Sequence, residues 1–275
     1  MGLAKALETL EVTLLLEAIF QRFGNDYRNH DKDYIRGRLR RFMESNAIAT
    51  LSALQEKVLH DETVIALLLQ ALDERKIGLF ENAEQILKMR TVLVPWLRSC
   101  PAPKIWIAEC AAAEEVFELA ILLQEENLHH KTDLYVTGRN ASLLTKAKQG
   151  TFPAKLFDQY QKNYYQAGGN KALSEYCTRV EDSFVFRSEL QGNITWSEYN
   201  LGTDSSPNEF EAIVCCGGFT GFTLYLRHRA LKIFYESQPM FGLLTIMGEG
   251  SAEISHYISH YRVVSELYGI YQRVY

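Results

Sequence analysis

The chain has 275 residues, of which 47% are hydrophobic and 23% are charged, and its formal net charge is -5. This composition is typical of a globular protein with one large or two smaller domains, and its acidity excludes general electrostatic attraction to nucleic acid or anionic membranes. No run of about 18 uncharged apolar residues predicts a membrane span. The N-terminus lacks the basic start and small-residue cleavage site of a secretory signal. Five cysteines without a CxxC spacing indicate reduced thiols, so we expect a cytoplasmic protein that does not insert into membranes.

Residues 1–75 are predicted to form an all-α domain. Apolar side chains recur there at helical spacing, as in Leu51, Leu54 and Val58, and no proline interrupts the pattern. Thr50 or Ser52 is the candidate N-cap of this helix. Residues 76–103 form a linker region, in which we expect the helix to end or kink near Pro95.

From residue 104 to residue 275 the pattern changes to strands that alternate with helices. Such alternation indicates right-handed crossovers and a mainly parallel sheet, so the expected fold class is α/β and Rossmann-like. The alternation stops at about 151–193, where we predict a small inserted subdomain. The predicted strands span 105–108, 133–137, 211–216, 242–247 and 261–267, and the predicted helices span 114–126, 141–150 and 222–236.

The connection after the first of these strands is unusual for a nucleotide-type α/β protein. A connection of this kind is normally rich in glycine, because the backbone turns sharply and passes close to a ligand. Here Glu109 and Ala113 stand where glycine is expected. The sequence therefore keeps the strand, connection and helix of a cofactor site, but the residues of the connection are changed.

Taken together, the segments resemble the CheR family of chemotaxis receptor glutamate methyltransferases, which use S-adenosylmethionine. The resemblance covers nearly the whole chain, and it implies the fold, the methyl donor and a chemoreceptor partner that contacts the helical N-terminal domain. The segments that carry it are "IWIAECAAAEEVFELAILL", "YVTGRN", "AKQGTFPAKLFDQY", "NITWSEYNL", "EAIVCC", "GLLTIMGEGS", "YRVV" and "YGIYQR".

The family's chemical motifs are altered in this chain. Arg75, Ile77 and Glu81 stand in place of the Asn, Thr and Arg of NxTxFFR, and AGCxTGEE becomes "AECAAAEE". ATDxN becomes "VTGRN", and CRNVxIYF becomes "CGGFTGFT". No residue is assigned a catalytic role. The family-equivalent positions for binding the donor, which we expect not to function, are Arg75, Ile77, Glu81, Glu109, Glu114, Glu115, Gly138, Asn200, Leu201, Gly218 and Phe219.

Three of the changes oppose donor binding by their chemistry. Gly138 lacks the acid that would accept hydrogen bonds from the ribose, and such charged bonds are worth roughly 1.5–3 kcal/mol each. Glu109 and Glu81 bring negative charge toward the donor's carboxylate, a repulsion of about 4 kcal/mol for charges about 4 Å apart. The restoration that this comparison suggests is Gly138→Asp, Glu109→Gly, Ala113→Gly and Glu81→Arg together.

The first hypothesis is a non-catalytic CheR-like signalling protein that needs no cofactor. The alternative is an active protein-glutamate O-methyltransferase of chemoreceptors, which would use S-adenosylmethionine. A third hypothesis is a pocket for another ligand, formed by Arg139 and the loop Gly217–Gly221. Arg139 is either a solvated charge or a phosphate ligand, and the solvated charge is favoured.

Two further patterns concern partners and metals. A basic patch on a predicted helix is either a solvated face or a docking face for an acidic helical partner; its residues are Lys32, Arg36, Arg40 and Arg41. His256 and His260 have the spacing of metal ligands, but no carboxylate partner is evident, so no metal site is predicted.

Overall fold

The structure, a computed structural model, describes residues 2–206, 209–247 and 256–275. The helices are α1 (Gly2–Phe23), α2 (Lys32–Ser45), α3 (Leu51–His60), α4 (Glu62–Asp73), α5 (Ala83–Ser99), α6 (Ala113–Glu125), α7 (Ala141–Gln149), α8 (Phe157–Gln166) and α9 (Leu224–Glu236). The strands are β1 (Lys104–Ala108), β2 (Asp133–Gly138), β3 (Thr151–Pro153), β4 (Cys177–Val180), β5 (Ser183–Phe186), β6 (Ile194–Glu198), β7 (Ala212–Cys215), β8 (Leu243–Ile246), β9 (Tyr261–Ser265) and β10 (Ile270–Arg273).

The first four helices pack around a core of their own. Each of α2, α3 and α4 begins at a polar residue whose side chain accepts a hydrogen bond from a backbone N–H of the first turn. Thr50, one of the two predicted caps, accepts from the Ala53 N–H at 3.1 Å. Buried leucines such as Leu15, Leu54 and Leu68 then hold the helices together.

The sequence predicts that the helix ends or kinks near Pro95, but α5 does not end there. It continues to Ser99, because Val94 and Leu97 are buried against the rest of the core on either side of the proline. The Trp96 indole N–H also donates to the Glu211 carbonyl at 3.0 Å, which fixes this turn against the start of β7.

A seven-stranded sheet follows, in the order β6-β2-β1-β7-β8-β10-β9. The pairs among β6, β2, β1, β7 and β8 are parallel, and β10 is antiparallel to both of its neighbours, so the predicted Rossmann-like, mainly parallel α/β class is confirmed. Strands β1 and β7 are buried along nearly their whole length, which parallel strands covered by helices require. The small antiparallel sheet β3-β5-β4 lies within the predicted insertion.

The strand order reverses between β1 and β7, and this is the point where ligands bind in open α/β sheets. The loops after β1, β2 and β7 all reach this edge. The loop between α1 and α2 meets it from the helical domain: His30 forms an antiparallel bridge with Phe222, and the Asp31 N–H donates to the Gly221 carbonyl at 2.9 Å. Within the described residues, no helix is both long and apolar enough to cross a bilayer.

Candidate functional site

The switch point between β1 and β7 is filled by a buried group of charged and aromatic residues, which we call the ion cluster: Tyr27, His30, Asp73, Glu109 and Arg139. Arg139 follows β2, and its guanidinium lies 2.7 Å from the Glu109 carboxylate and 3.3 Å from that of Asp73. It also contacts the His30 imidazole, and the Tyr27 hydroxyl donates to Asp73 at 2.7 Å. The cluster thereby joins the helical domain to the sheet.

The favoured reading of Arg139 as a solvated charge is wrong, because only 14% of its side chain is exposed. Two carboxylates in contact with the guanidinium also leave it without the free charge that a phosphate ligand needs. No sequence pattern indicated these contacts, since His30 and Asp73 lie in the helical domain and belong to no motif.

Burial governs the protonation of the ion cluster. It raises the pKa of Asp73, although the neighbouring Arg139 opposes this effect. Desolvation, assisted by the positive charge of Arg139, lowers the pKa of His30 to about 2, so the imidazole is neutral at physiological pH. Ion pairing with Glu109 and Asp73 raises the pKa of Arg139 despite its burial, and the arginine stays charged.

Glu109 has the backbone conformation that the glycine expectation implied. Its φ is +56°, in the left-handed region that costs a residue with a side chain about 1–3 kcal/mol. The side chain is buried and reaches Arg139, and this ion pair offsets the strain. The close approach of a ligand would require glycine at position 109. In this chain the position carries a carboxylate with a structural role instead.

Gly138 cannot carry the acid that the family resemblance places there. A Cβ atom at this position would lie 2.4 Å from the Cys110 carbonyl oxygen, a distance that real Cβ atoms essentially never show. The loop after β1 is held this close by the Cys110 N–H, which donates to the Thr137 carbonyl at 2.8 Å. The proposed restoration through Gly138→Asp thus overlooked that the two loops have closed on each other.

A second buried pair, Arg75 and Glu115, lies beside the ion cluster. The guanidinium donates to the Glu115 carboxylate at 2.8 Å, and the other Glu115 oxygen accepts from the Ala111 N–H at 2.7 Å. Gly217 makes room for this pair, because a Cβ there would lie 2.7 Å from Arg75. Glu115, one of the two glutamates retained from the family pattern, therefore organises the loop and neutralises Arg75.

The other family-equivalent positions form two groups: some line one of the two cavities, and the rest have structural roles. Ile77 and Glu81 line a groove next to Arg75, and Gly218 lines the ion cluster. Glu114 accepts from the Tyr160 hydroxyl at 2.9 Å. Three more positions take structural roles: the Asn200 side chain accepts from the Gly202 N–H at 2.8 Å, and Leu201 and Phe219 are in the hydrophobic core.

The space at the switch point does not fit S-adenosylmethionine. The cavity among the ion-cluster residues has a volume of about 20 Å³, which is enough for about one water molecule. The loop Gly217–Gly221, which the third hypothesis made a ligand contact, is packed against Arg75 and Tyr34 instead. The cavity among the ion-cluster residues is therefore too small to hold the donor.

The groove beside the ion cluster is larger, with a volume of about 330 Å³. It opens between α2, the segment after α4 and the carboxyl ends of the strands. Glu118 of α6 is buried at this groove and accepts from the Phe80 N–H at 3.1 Å. Sequence reasoning missed Glu118, which belongs to none of the motifs that carry the family resemblance.

The predicted basic patch on α2 has unequal members. The Arg36 side chain is 11% exposed and pairs with Asp33, whereas Arg40 is 63% exposed and reaches Glu8 at 2.6 Å. Lys32 donates to the Arg28 carbonyl at 3.3 Å, and the Arg41 Nε donates to the Gly37 carbonyl of its own helix at 3.2 Å. Arg40 and Arg41 are thus the exposed cations of this face.

Two sequence observations lie outside the described residues. They concern the segment 248–251, at the end of "GLLTIMGEGS", and the side chain of His256. In the part of the chain that the structure describes, no group of three or more His, Cys, Asp or Glu side chains is arranged to hold a metal ion.

Glu118 makes the stability of the protein depend on pH. Burial raises its pKa from 4.5 to about 8, so the folded protein keeps a proton that the unfolded chain has lost between these two values. We expect the free energy of unfolding to fall by several kcal/mol as the pH rises from 4.5 to about 8, since each unit of this pKa shift is worth about 1.4 kcal/mol.

The Glu118→Gln variant isolates this contribution, because the amide has the same shape and does not titrate. Urea unfolding of the wild type and the variant at a series of pH values gives the difference in their free energies of unfolding. This difference should grow in the variant's favour up to about pH 8. Glu44→Gln, at an exposed position on α2, is the control. If the difference in unfolding free energy does not change with pH, burial does not raise the pKa of Glu118.

The architecture described above is a helical domain placed on the switch point of a Rossmann-like methyltransferase fold. Residues 10–72 match the family model "CheR methyltransferase, all-alpha domain", and residues 78–264 match "CheR methyltransferase, SAM binding domain". The chain therefore belongs to the CheR methyltransferase family.

Relatives with curated names cover different shares of the chain. A Pseudomonas putida protein named "Putative methyltransferase Cher3" is 36% identical over 248 residues, which are 90% of this chain and 91% of that protein. A "Chemotaxis protein methyltransferase" of Listeria innocua is 24% identical over 145 residues, 53% of this chain and 52% of its own length. Among solved structures, the N-methyltransferase NodS of Bradyrhizobium japonicum has a TM-score of 0.40 at 10% identity, covering 71% of this chain and 97% of NodS.

Proposed function

We propose that this chain is a non-catalytic member of the CheR family that does not bind the methyl donor and acts by binding a chemoreceptor or another signalling protein. The observation that supports it is the ion cluster, which fills the switch point and leaves a cavity of about 20 Å³. Methyl transfer depends chiefly on holding donor and acceptor in line, so a protein that excludes the donor loses the reaction.

The partner contact is assigned to the helical domain. Arg40 and Arg41 are exposed on α2 and would meet an acidic partner surface, with Lys32 at the start of the same helix. The name of the Listeria relative, a chemotaxis protein, is consistent with a chemosensory partner. All five cysteines are free thiols, which fits a cytoplasmic site of action.

Active protein-glutamate O-methyltransferase is the second candidate. It is favoured by the groove of about 330 Å³ next to Arg75, which has the size of a small-ligand site, and by the 36% identity to a relative named as a methyltransferase. In this case the loops that carry Glu109 and Arg139 would have to separate to admit S-adenosylmethionine. That opening breaks a buried ion pair 2.7 Å long and carries a cost of several kcal/mol.

Calorimetry separates the two candidates. We expect no heat of binding when S-adenosylmethionine or S-adenosylhomocysteine is titrated into the protein, because the ion cluster occupies the donor's place. A chemotaxis methyltransferase with intact family motifs is the positive control. Micromolar binding of either compound, or transfer of a radioactive methyl group to a receptor carboxylate, would contradict the proposal.

A further inference from the structure

The first helix of the chain has an apolar stripe that faces away from the core of its own domain. Leu7, Leu10 and Leu14 of α1, which we call the leucine stripe, are 59%, 54% and 50% exposed, whereas Val12 and Leu15 are buried. At 3.6 residues per turn, the three leucines lie within about 60° of one another around the helix. A contiguous exposed patch of this kind marks an interaction surface, whereas single exposed leucines are common on any protein.

The spacing of the leucine stripe favours a helix as its partner. Steps of three and then four residues are those of a seam between two packed helices, in which each leucine fits between side chains of the facing helix. The exposed residues beside the stripe, Ala6 and Thr13, are small, and the Thr13 hydroxyl donates to the Thr9 carbonyl at 2.8 Å. A second helix can therefore approach α1 closely without leaving this hydroxyl unpaired.

The charges along α1 indicate that this second helix is an antiparallel copy of α1. The first turn holds Lys5 and no acidic residue to complement the positive end of the helix dipole. Glu17 follows Leu14 by one turn on the same side, and its side chain is 45% exposed although it pairs with Arg28. If two copies of α1 run in opposite directions with Leu10 at the twofold axis, each Glu17 lies beside the first turn of the other copy. Parallel copies, or an acidic partner of the kind proposed for α2, would bring like charges together instead.

We propose that the chain forms a twofold dimer in which the leucine stripes of two α1 helices pack antiparallel against each other. Leu14 of one copy would lie beside Leu7 of the other, at a groove of about 410 Å³ that Leu7 shares with Met43 and Leu51. One pair of helices is smaller than a standard interface, so we expect a transient dimer with a Kd of about 10–100 μM. The stripe lies within the helical domain, so the inference does not depend on donor binding.

Sedimentation velocity of the full chain from about 1 to about 300 μM brackets this Kd and measures the association. We expect the mean mass to rise toward that of a dimer. Leu10→Gln, which places two amides at the axis, should weaken the association at least about tenfold. Leu67→Gln is the matched control and should leave the Kd unchanged, because Leu67 is 48% exposed and lies on α4, outside the stripe. Circular dichroism checks that both variants fold.

The orientation of the two helices has a separate test. In the antiparallel dimer, Glu17→Gln should weaken the association about two- to fivefold, the effect of one charge at a helix end. In a parallel dimer the same variant would relieve repulsion between two carboxylates, so a strengthened dimer would contradict the proposed arrangement.

Other results would overturn the dimer itself. The proposal is wrong if the chain stays monomeric at the highest concentration, or if Leu10→Gln and Leu67→Gln weaken the association equally. If the chain is monomeric and Leu10→Gln weakens its binding to a chemoreceptor fragment, the stripe is a docking face for that partner instead. These measurements contain no methyl donor, so failure of the dimer is distinguishable from failure of the proposed function.

Discussion

The Arg139→Met variant is expected to lose about 3–5 kcal/mol of unfolding free energy, the usual result of removing one partner from a buried ion pair. Its guanidinium is the cation beside the Glu109 and Asp73 carboxylates, whose side chains are 5% and 8% exposed. Methionine keeps the length of the side chain and removes the charge, so both carboxylates are left buried without a cation. Urea unfolding followed by circular dichroism measures the loss.

A matched control separates this effect from a general loss of arginine. Arg40 also forms an ion pair, with Glu8 at 2.6 Å, but its side chain is 63% exposed, and Arg40→Met should cost less than about 1 kcal/mol. Neutralising the whole cluster with Asp73→Asn, Glu109→Gln and Arg139→Met together should recover part of the stability. Equal losses in Arg139→Met and Arg40→Met would show that the ion cluster is not a buried charge network.

The Gly138→Asp variant should destabilise the fold by at least about 3 kcal/mol and should not create a donor site. Its Cβ would lie 2.4 Å from the Cys110 carbonyl oxygen, and the position is buried, so the aspartate would also introduce a carboxylate among closely packed backbone groups. Thermal and urea unfolding report the loss, and titration with S-adenosylhomocysteine reports donor binding.

Gly37→Ala is the control for this change, because a Cβ at Gly37 meets nothing closer than the Arg41 side chain at 4.0 Å. Alanine inside α2 should stabilise the protein by about 0.5–1 kcal/mol. A stable Gly138→Asp protein that binds S-adenosylhomocysteine would mean that the loops after β1 and β2 separate readily, and the active candidate would then gain support.

Much of the fold could be predicted because it follows from local patterns. The change from helical spacing to alternating strands and helices at residue 104 is strong, and it led to the correct fold class. Strand β10, which lies between β8 and β9, was not predicted, since the segment after Gly269 is short and follows a turn directly. Helix α5 was expected to end or kink near Pro95, because the packing of Val94 and Leu97 cannot be recognised before the sheet is known.

The site could be predicted only in outline. The sequence pointed to Glu109 as an altered glycine position, and its φ of +56° agrees with that expectation. Arg139 was misjudged, because its partners Asp73 and His30 are distant in sequence and come from another domain. Long-range ion pairs of this kind leave no periodic signal, so a single chain does not reveal them.

The contact between the loops 29–31 and 221–223 has a mechanical consequence. Asp31 caps α2 and Thr223 caps α9, and these residues hold the loops together: the Asp31 N–H donates to Gly221, and the Thr223 hydroxyl donates to the Asn29 carbonyl at 2.6 Å. The first turns of α2 and α9, which belong to different domains, are thus fixed to the same pair of loops. We therefore expect that tilting α2 against the sheet would strain these two hydrogen bonds and displace the start of α9.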